Sequence, residues 1–237
     1  MPVTTLDPQT ALIVIDLQKG ILALPVAHAT GEIVQRASAL ASAFRQRALP
    51  VVLVNVAGGA KGRTQQQRPG GELPADWAEL AAELDRQPGD HLVTKNTWGA
   101  FTNTGLESHL KALGVTQVVI VGIATSVGVE STARQAYELG FNVTLGIDAM
   151  TDMNADAHAN SIARIFPRLG ETGTTQENID LLARSAAALF VRSGATTTAC
   201  GPAARRCPTW APGCIAPRRT GSCSRSSRAT TPPRSAS

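Results

Sequence analysis

Cysteine is absent from the first 193 residues; Cys200, Cys207, Cys214 and Cys223 all lie beyond them. A thiol nucleophile and a disulfide framework are therefore excluded from the body of the chain. In the tail, the separations of 7, 7 and 9 lack the close CxxC pair of a zinc site. Acidic residues are missing from 194–237, which carries seven Arg and no Lys. Removing those seven from the 22 basic residues leaves 15 against 18 acids, so a chain of net +4 has a body of net −3. The basic excess belongs to the tail, and nucleic acid is not the expected partner of the body. No apolar run approaches the roughly 20 residues that span a bilayer, and no signal peptide precedes the first strand. The expectation is a cytoplasmic protein with no membrane partner. GxGxxG, GxxxxGK[ST] and HExxH are all missing, and His28, His91, His109 and His158 show no ligand spacing. No cofactor and no metal are expected.

Strands and helices alternate along what is there. The apolar runs at 11–16, 50–56, 91–95 and 117–122, with 141–148, read as buried strands. Helical spacing covers 30–47, 76–84, 104–114, 129–140, about 154–165 and 175–190, with Gly114 and Gly140 closing two of these segments. That order predicts a three-layer α/β/α sandwich on a mainly parallel, Rossmann-like sheet of about six strands. The body is taken as one domain, 1–193. The Ser-, Thr-, Pro- and Arg-rich segment 194–237 has too few aliphatic residues to fold and is expected to be disordered. An altered reading frame explains it better than an anion-binding arm. Residues 57–74 form a long Gly/Gln/Pro-containing loop, a candidate lid.

In such a sheet the carboxyl ends of the strands share one edge, so polar residues there converge. Asp16 and Gln18 follow the first strand, Asn55 ends the second, Lys95 ends the third, and 122–128 follow the fourth. Alone, Asp16 is as readily a turn residue and Lys95 a solvated strand end. Together a carboxylate and an ammonium make a working pair with mutually perturbed pKa values. The stretch Ala124–Gly128, ATSVG, is also an Ala-x-Ser-x-Gly version of a nucleophile elbow, with Asp148, Asp152 and His158 following in the order a serine hydrolase needs. The competing reading has Thr125 or Ser126 satisfying helix N-terminal amides.

Three segments, ALIVIDLQKGI, the run from Val93 to Asp152, and IFPRLGETGTT, resemble the isochorismatase-like hydrolase superfamily over about residues 8–190. The resemblance implies a catalytic Asp at Asp16 and a catalytic Lys at Lys95. It also implies a cis peptide at Ile123–Ala124, with the Ala124 and Gly128 amides facing substrate. Amidase members carry a Cys where this chain has Gly128. Isochorismatases proper do without it and cleave a vinyl ether, with the Asp as general acid. The site expected from the resemblance is therefore Asp16 and Lys95, with Gly128, Ala124, Thr125, Ser126, Trp98 and Phe101 around the substrate and Gln67 and Arg68 as carboxylate binders. The function it implies is cofactor-independent hydrolysis of a small carboxylated molecule. The rival is a non-catalytic binding member that lacks the nucleophile. The resemblance further implies a homo-oligomer.

Overall fold

The computed structural model describes residues 2–65 and 72–193. The tail expected to be disordered, and Gln67 and Arg68, lie outside the described residues.

Six strands form one parallel sheet: β1 (Thr10–Ile15), β2 (Val51–Val56), β3 (His91–Lys95), β4 (Gln117–Ile123), β5 (Asn142–Thr151) and β6 (Glu171–Gly173), ordered β3-β2-β1-β4-β5-β6. β1 and β4 are buried along their whole length, as continuous Val/Ile/Leu runs covered on both faces must be. Alternate side chains feed two cores. On one face Leu12, Val14 and Leu53 pack with Leu40 and Phe44 of α2 (Thr30–Arg45) and Leu182 of α6 (Thr175–Ser193). On the other, Ile13, Ile15 and Val54 pack with Leu106 and Leu110 of α3 (Leu106–Ala112) and Ala133 and Ala136 of α4 (Glu130–Glu138). The predicted three-layer sandwich is thus the observed one. A one-turn helix α1 (Lys19–Leu22) follows β1, and α5 (Ala155–Asn160) follows β5.

The differences from the predicted elements have local causes. Residues 76–84 do not form a helix; only a 3₁₀ turn at Ala82–Leu84 is present. The carbonyls that a helix would use internally are taken elsewhere, Trp77 by the Gly20 amide, Glu79 by the Lys19 amide, and Ala78 by the Asn55 side chain. β5 runs on to Thr151, beyond the predicted 148, through a register irregularity opposite Ile120–Gly122. Wide π-helical turns occupy Thr125–Val129 and Ser161–Ile165, where ordinary helix was expected at the second. The strand at Glu171–Gly173 is too short to leave a periodic signature.

The sheet order reverses between β1 and β4, and that switch point lies at the carboxyl edge where Asp16 begins a turn. At that irregularity, Gly122 has φ of 122°, and a Cβ there would lie 2.0 Å from the Ile15 carbonyl oxygen. We expect Gly122→Ala to cost about 2–4 kcal/mol through backbone strain and overpacking. Chemical denaturation checks this; an unchanged midpoint would show that β1 yields without cost.

Candidate active site

Asp16 leaves β1 in a left-handed conformation, φ 51°, which turns its carboxylate out of the strand direction toward β3. Lys95, the last residue of β3, reaches across the end of β2 to meet it, with Nζ donating to Asp16 Oδ2 at 2.7 Å. Lys95 is 2% and Asp16 5% exposed. The lysine also donates to the Thr97 carbonyl at 3.2 Å. The other carboxylate oxygen, Asp16 Oδ1, is buried with no hydrogen-bond partner among the described residues.

Two influences oppose each other at Asp16. Burial penalises the carboxylate and is the larger; the Lys95 ammonium favours it by charge and by its hydrogen bond. Burial wins, and the Asp16 pKa is pushed up to about 6. A carboxyl group with one oxygen clamped and the other unpartnered can carry a proton on the free oxygen and deliver it to a substrate atom.

The loop after β3 is tied to α4, which fixes the approach of Lys95. Ala100 N–H donates to Thr132 Oγ1 and Phe101 N–H to Gln135 Oε1, each at 3.1 Å. Thr132 in turn donates to the Gly128 carbonyl at 2.7 Å. The opposite wall is therefore joined to the Lys95 loop through one buried threonine.

Gly128 lies beside Asp16, as expected. A Cβ built on it would lie 2.9 Å from Ile15 Cγ2 and 3.2 Å from Asp16 Oδ2. The volume that a side chain would need is occupied by a stiff β-branched residue and by the carboxylate. The Ile123–Ala124 peptide is cis, as the resemblance implies.

Thr125 and Ser126 direct their side chains away from Asp16, toward the end of β5. The Thr125 hydroxyl donates to the Thr151 carbonyl at 3.0 Å and contacts His158 Nδ1 at 2.8 Å. Ser126 donates both its amide and its hydroxyl to Asp152 Oδ2, at 2.7 and 2.8 Å. The elbow reading needs the serine hydroxyl on the histidine; here the serine meets the aspartate and the histidine meets Thr125, so no relay exists. Thr125 and Ser126, expected around the substrate, have their hydroxyls engaged by the end of β5 and by Asp152. His158 is held below its usual pKa by burial and by the neighbouring His28, against the pull of Asp152.

Phe101, expected around the substrate, stacks on Phe141 with centroids 5.9 Å apart and packs against the α3/α4 core. Trp98, three residues after Lys95, is 56% exposed. Asp152 is the residue that sequence reasoning underused. It reads from sequence only as a possible triad acid, and its carboxylate holds the Ser126 amide and the Asn154 amide together. Among the described residues no group of three or more His, Cys, Asp or Glu could hold a metal ion.

The tight fit at position 128 predicts that Gly128→Ala destabilises the protein by about 1–3 kcal/mol, because Ile15 or Asp16 must move. Denaturation measures it; wild-type stability would mean that the site accommodates a side chain freely.

The Isochorismatase domain family matches residues 10–177. The isochorismatase family protein YwoC of Bacillus subtilis is 42% identical over 174 residues, 70% of this chain and 90% of that protein. The solved structure of an isochorismatase family protein from Burkholderia thailandensis is 40% identical, with a TM-score of 0.73 over 76% of this chain and 98% of that one. Ureidoacrylate amidohydrolase RutB of Rhizobium rhizogenes is 41% identical over 100 residues, 40% of each chain. The protein belongs to the isochorismatase family of hydrolases.

Proposed function

We propose that the protein hydrolyses the vinyl ether of a small carboxylated molecule, with Asp16 as general acid and no cysteine nucleophile. The observation that carries this reading is the split environment of the Asp16 carboxyl group, with Oδ2 on Lys95 and Oδ1 buried without a partner among the described residues. The free oxygen delivers its proton to the enol-ether methylene carbon. Water adds to the resulting oxocarbenium carbon, its proton returns to Asp16, and the hemiketal collapses to a ketone and an alcohol. Lys95 opposes protonation in the resting site but stabilises the carboxylate that forms as the proton leaves, so its charge acts on the transition state.

A carboxylated substrate is supported by the loop leaving β2 at this same edge. Its described residues, 57–65, contain Lys61 and Arg63 and no acid. Such a one-sign segment raises the local concentration of anions.

Local similarity to an amidohydrolase favours a second reading, in which Asp16 is a base that activates water on an amide. The missing thiol and the filled volume at Gly128 weigh against the covalent form of that chemistry. The two readings predict opposite pH limbs. A general acid with a pKa of about 6 loses activity as pH rises through that value, and a base loses it as pH falls through it. The experiment is a substrate panel of enolpyruvyl ethers and ureido or primary amides, followed by pyruvate and ammonia release across pH 4.5–8.5. We expect pyruvate release to fall about tenfold per unit above pH 6, and to drop by about 10²-fold or more in Asp16→Asn. Ammonia release with a rising limb supports the base reading. No turnover of any compound supports a binding protein.

A further inference from the structure

We infer that Gln18 is a positioning residue whose side-chain amide replaces the missing end of β1 and so holds Lys95 at the height of Asp16. The inference rests on Asp16 and Lys95 being the working pair, and it begins with a problem in the sheet. β1 pairs with β2 only as far as Ile15 opposite Val54, with the Asp16 amide donating to the Val54 carbonyl at 2.9 Å. The chain then turns away at Asp16, and that departure is what aims the carboxylate into the site. β2 continues two residues further, to Val56, because it must still carry β3 out to Lys95, which pairs with Val56.

A parallel ladder repeats every two residues, so the next rung would join the N–H and C=O of Val56 to backbone of β1. That backbone has left. Buried ladder groups without partners would each bear the full penalty of losing water without replacement. The side chain of Gln18, fully buried, takes the vacant rung. Its Oε1 accepts from Val56 N–H at 2.7 Å, and its Nε2 donates to the Val56 carbonyl at 3.0 Å. A primary amide presents the same donor and acceptor as a peptide group, so one side chain completes both halves of the rung.

The second proton of Nε2 goes to the Trp77 carbonyl at 2.8 Å, and Trp77 Nε1 returns to the Val56 carbonyl at 3.0 Å. Gln18 thereby ties the end of β2 at Val56 to Trp77. On the far side of β2, Ala57 N–H donates to the Lys95 carbonyl at 3.0 Å. The chain of contacts therefore runs from Gln18 through Val56 and Ala57 to the backbone of Lys95. Glutamate cannot substitute: it keeps the acceptor for Val56 N–H but sets a carboxylate oxygen against two carbonyls.

The test needs no substrate, so its outcome is separate from that of the proposed reaction. Amide hydrogen exchange on the wild-type protein comes first, and the Val56 N–H should be protected to within about tenfold of Val54. In Gln18→Met, which conserves volume, Val56 exchange should rise by about tenfold or more while Val119 in the central strand β4 is unchanged. The Asp16 carboxyl titration, followed by ¹³C NMR, should move off its wild-type midpoint in Gln18→Met and Gln18→Glu. Trp77→Phe, which leaves the Gln18 rung intact, should not move it. An unprotected Val56 amide in the wild type overturns the inference even if the Gln18 variants do not fold. So does an unmoved Asp16 titration in a folded Gln18→Met protein, since a merely stabilising glutamine would lower the melting temperature alone.

Discussion

The contact between Lys95 Nζ and Asp16 Oδ2, 2.7 Å long and almost wholly removed from water, is the constraint on which the site depends. Its partners stand at the ends of strands that do not touch, with β2 between them. The interaction therefore demands that three strand ends be held in register and that β1 bend at Asp16. It also demands that the loop after β3 be tied back to α4. Removing either partner would strand a buried charge, which typically costs about 3–5 kcal/mol.

The pair is not primarily a device for stability. Burial outweighs the lysine and raises the Asp16 pKa from 3.8 to about 6, equivalent to about 3 kcal/mol against the ionised form. A raised carboxyl pKa contributes stability that is full below the unfolded value near 4 and lost as pH rises through about 6. At neutral pH the fold bears that cost. In exchange it has a carboxyl group poised near working pH, with a cation placed to receive the charge left behind when the proton departs.

Much of this was legible in the sequence because it followed from strong periodicity and from topology. The runs at 11–16 and 117–122 read as buried strands, and a parallel sheet brings their carboxyl ends to one edge, so Asp16, Lys95 and the 124–128 turn were found together. What was not legible depended on side-chain direction. Nothing in ATSVG tells that Thr125 and Ser126 face β5, which is decided by Asp152 and the Thr151 carbonyl 26 residues away. The helix expected at 76–84 failed for a similar reason. Its apolar spacing is real, but the backbone carbonyls of Trp77, Ala78 and Glu79 serve residues from 18 to 55. Local propensity lost to long-range hydrogen bonds that no window of sequence contains. Phe101 reads from sequence as pocket or core, and its ring packs on Phe141, 40 residues away.

The glycine at 128 gains a physical meaning from this arrangement. It is a close-approach residue, packed by Ile15 and by the carboxylate itself, and the site is built around the absence of a side chain. Asp16, in the resting protein, is a carboxyl group displaced upward by burial in spite of its lysine. Its most direct measurement is a ¹³C NMR titration of the Asp16 carboxyl carbon in the wild-type protein. The account predicts a midpoint at about 6. A midpoint at or below the ordinary value of 3.8 would show that Lys95 prevails and would contradict it.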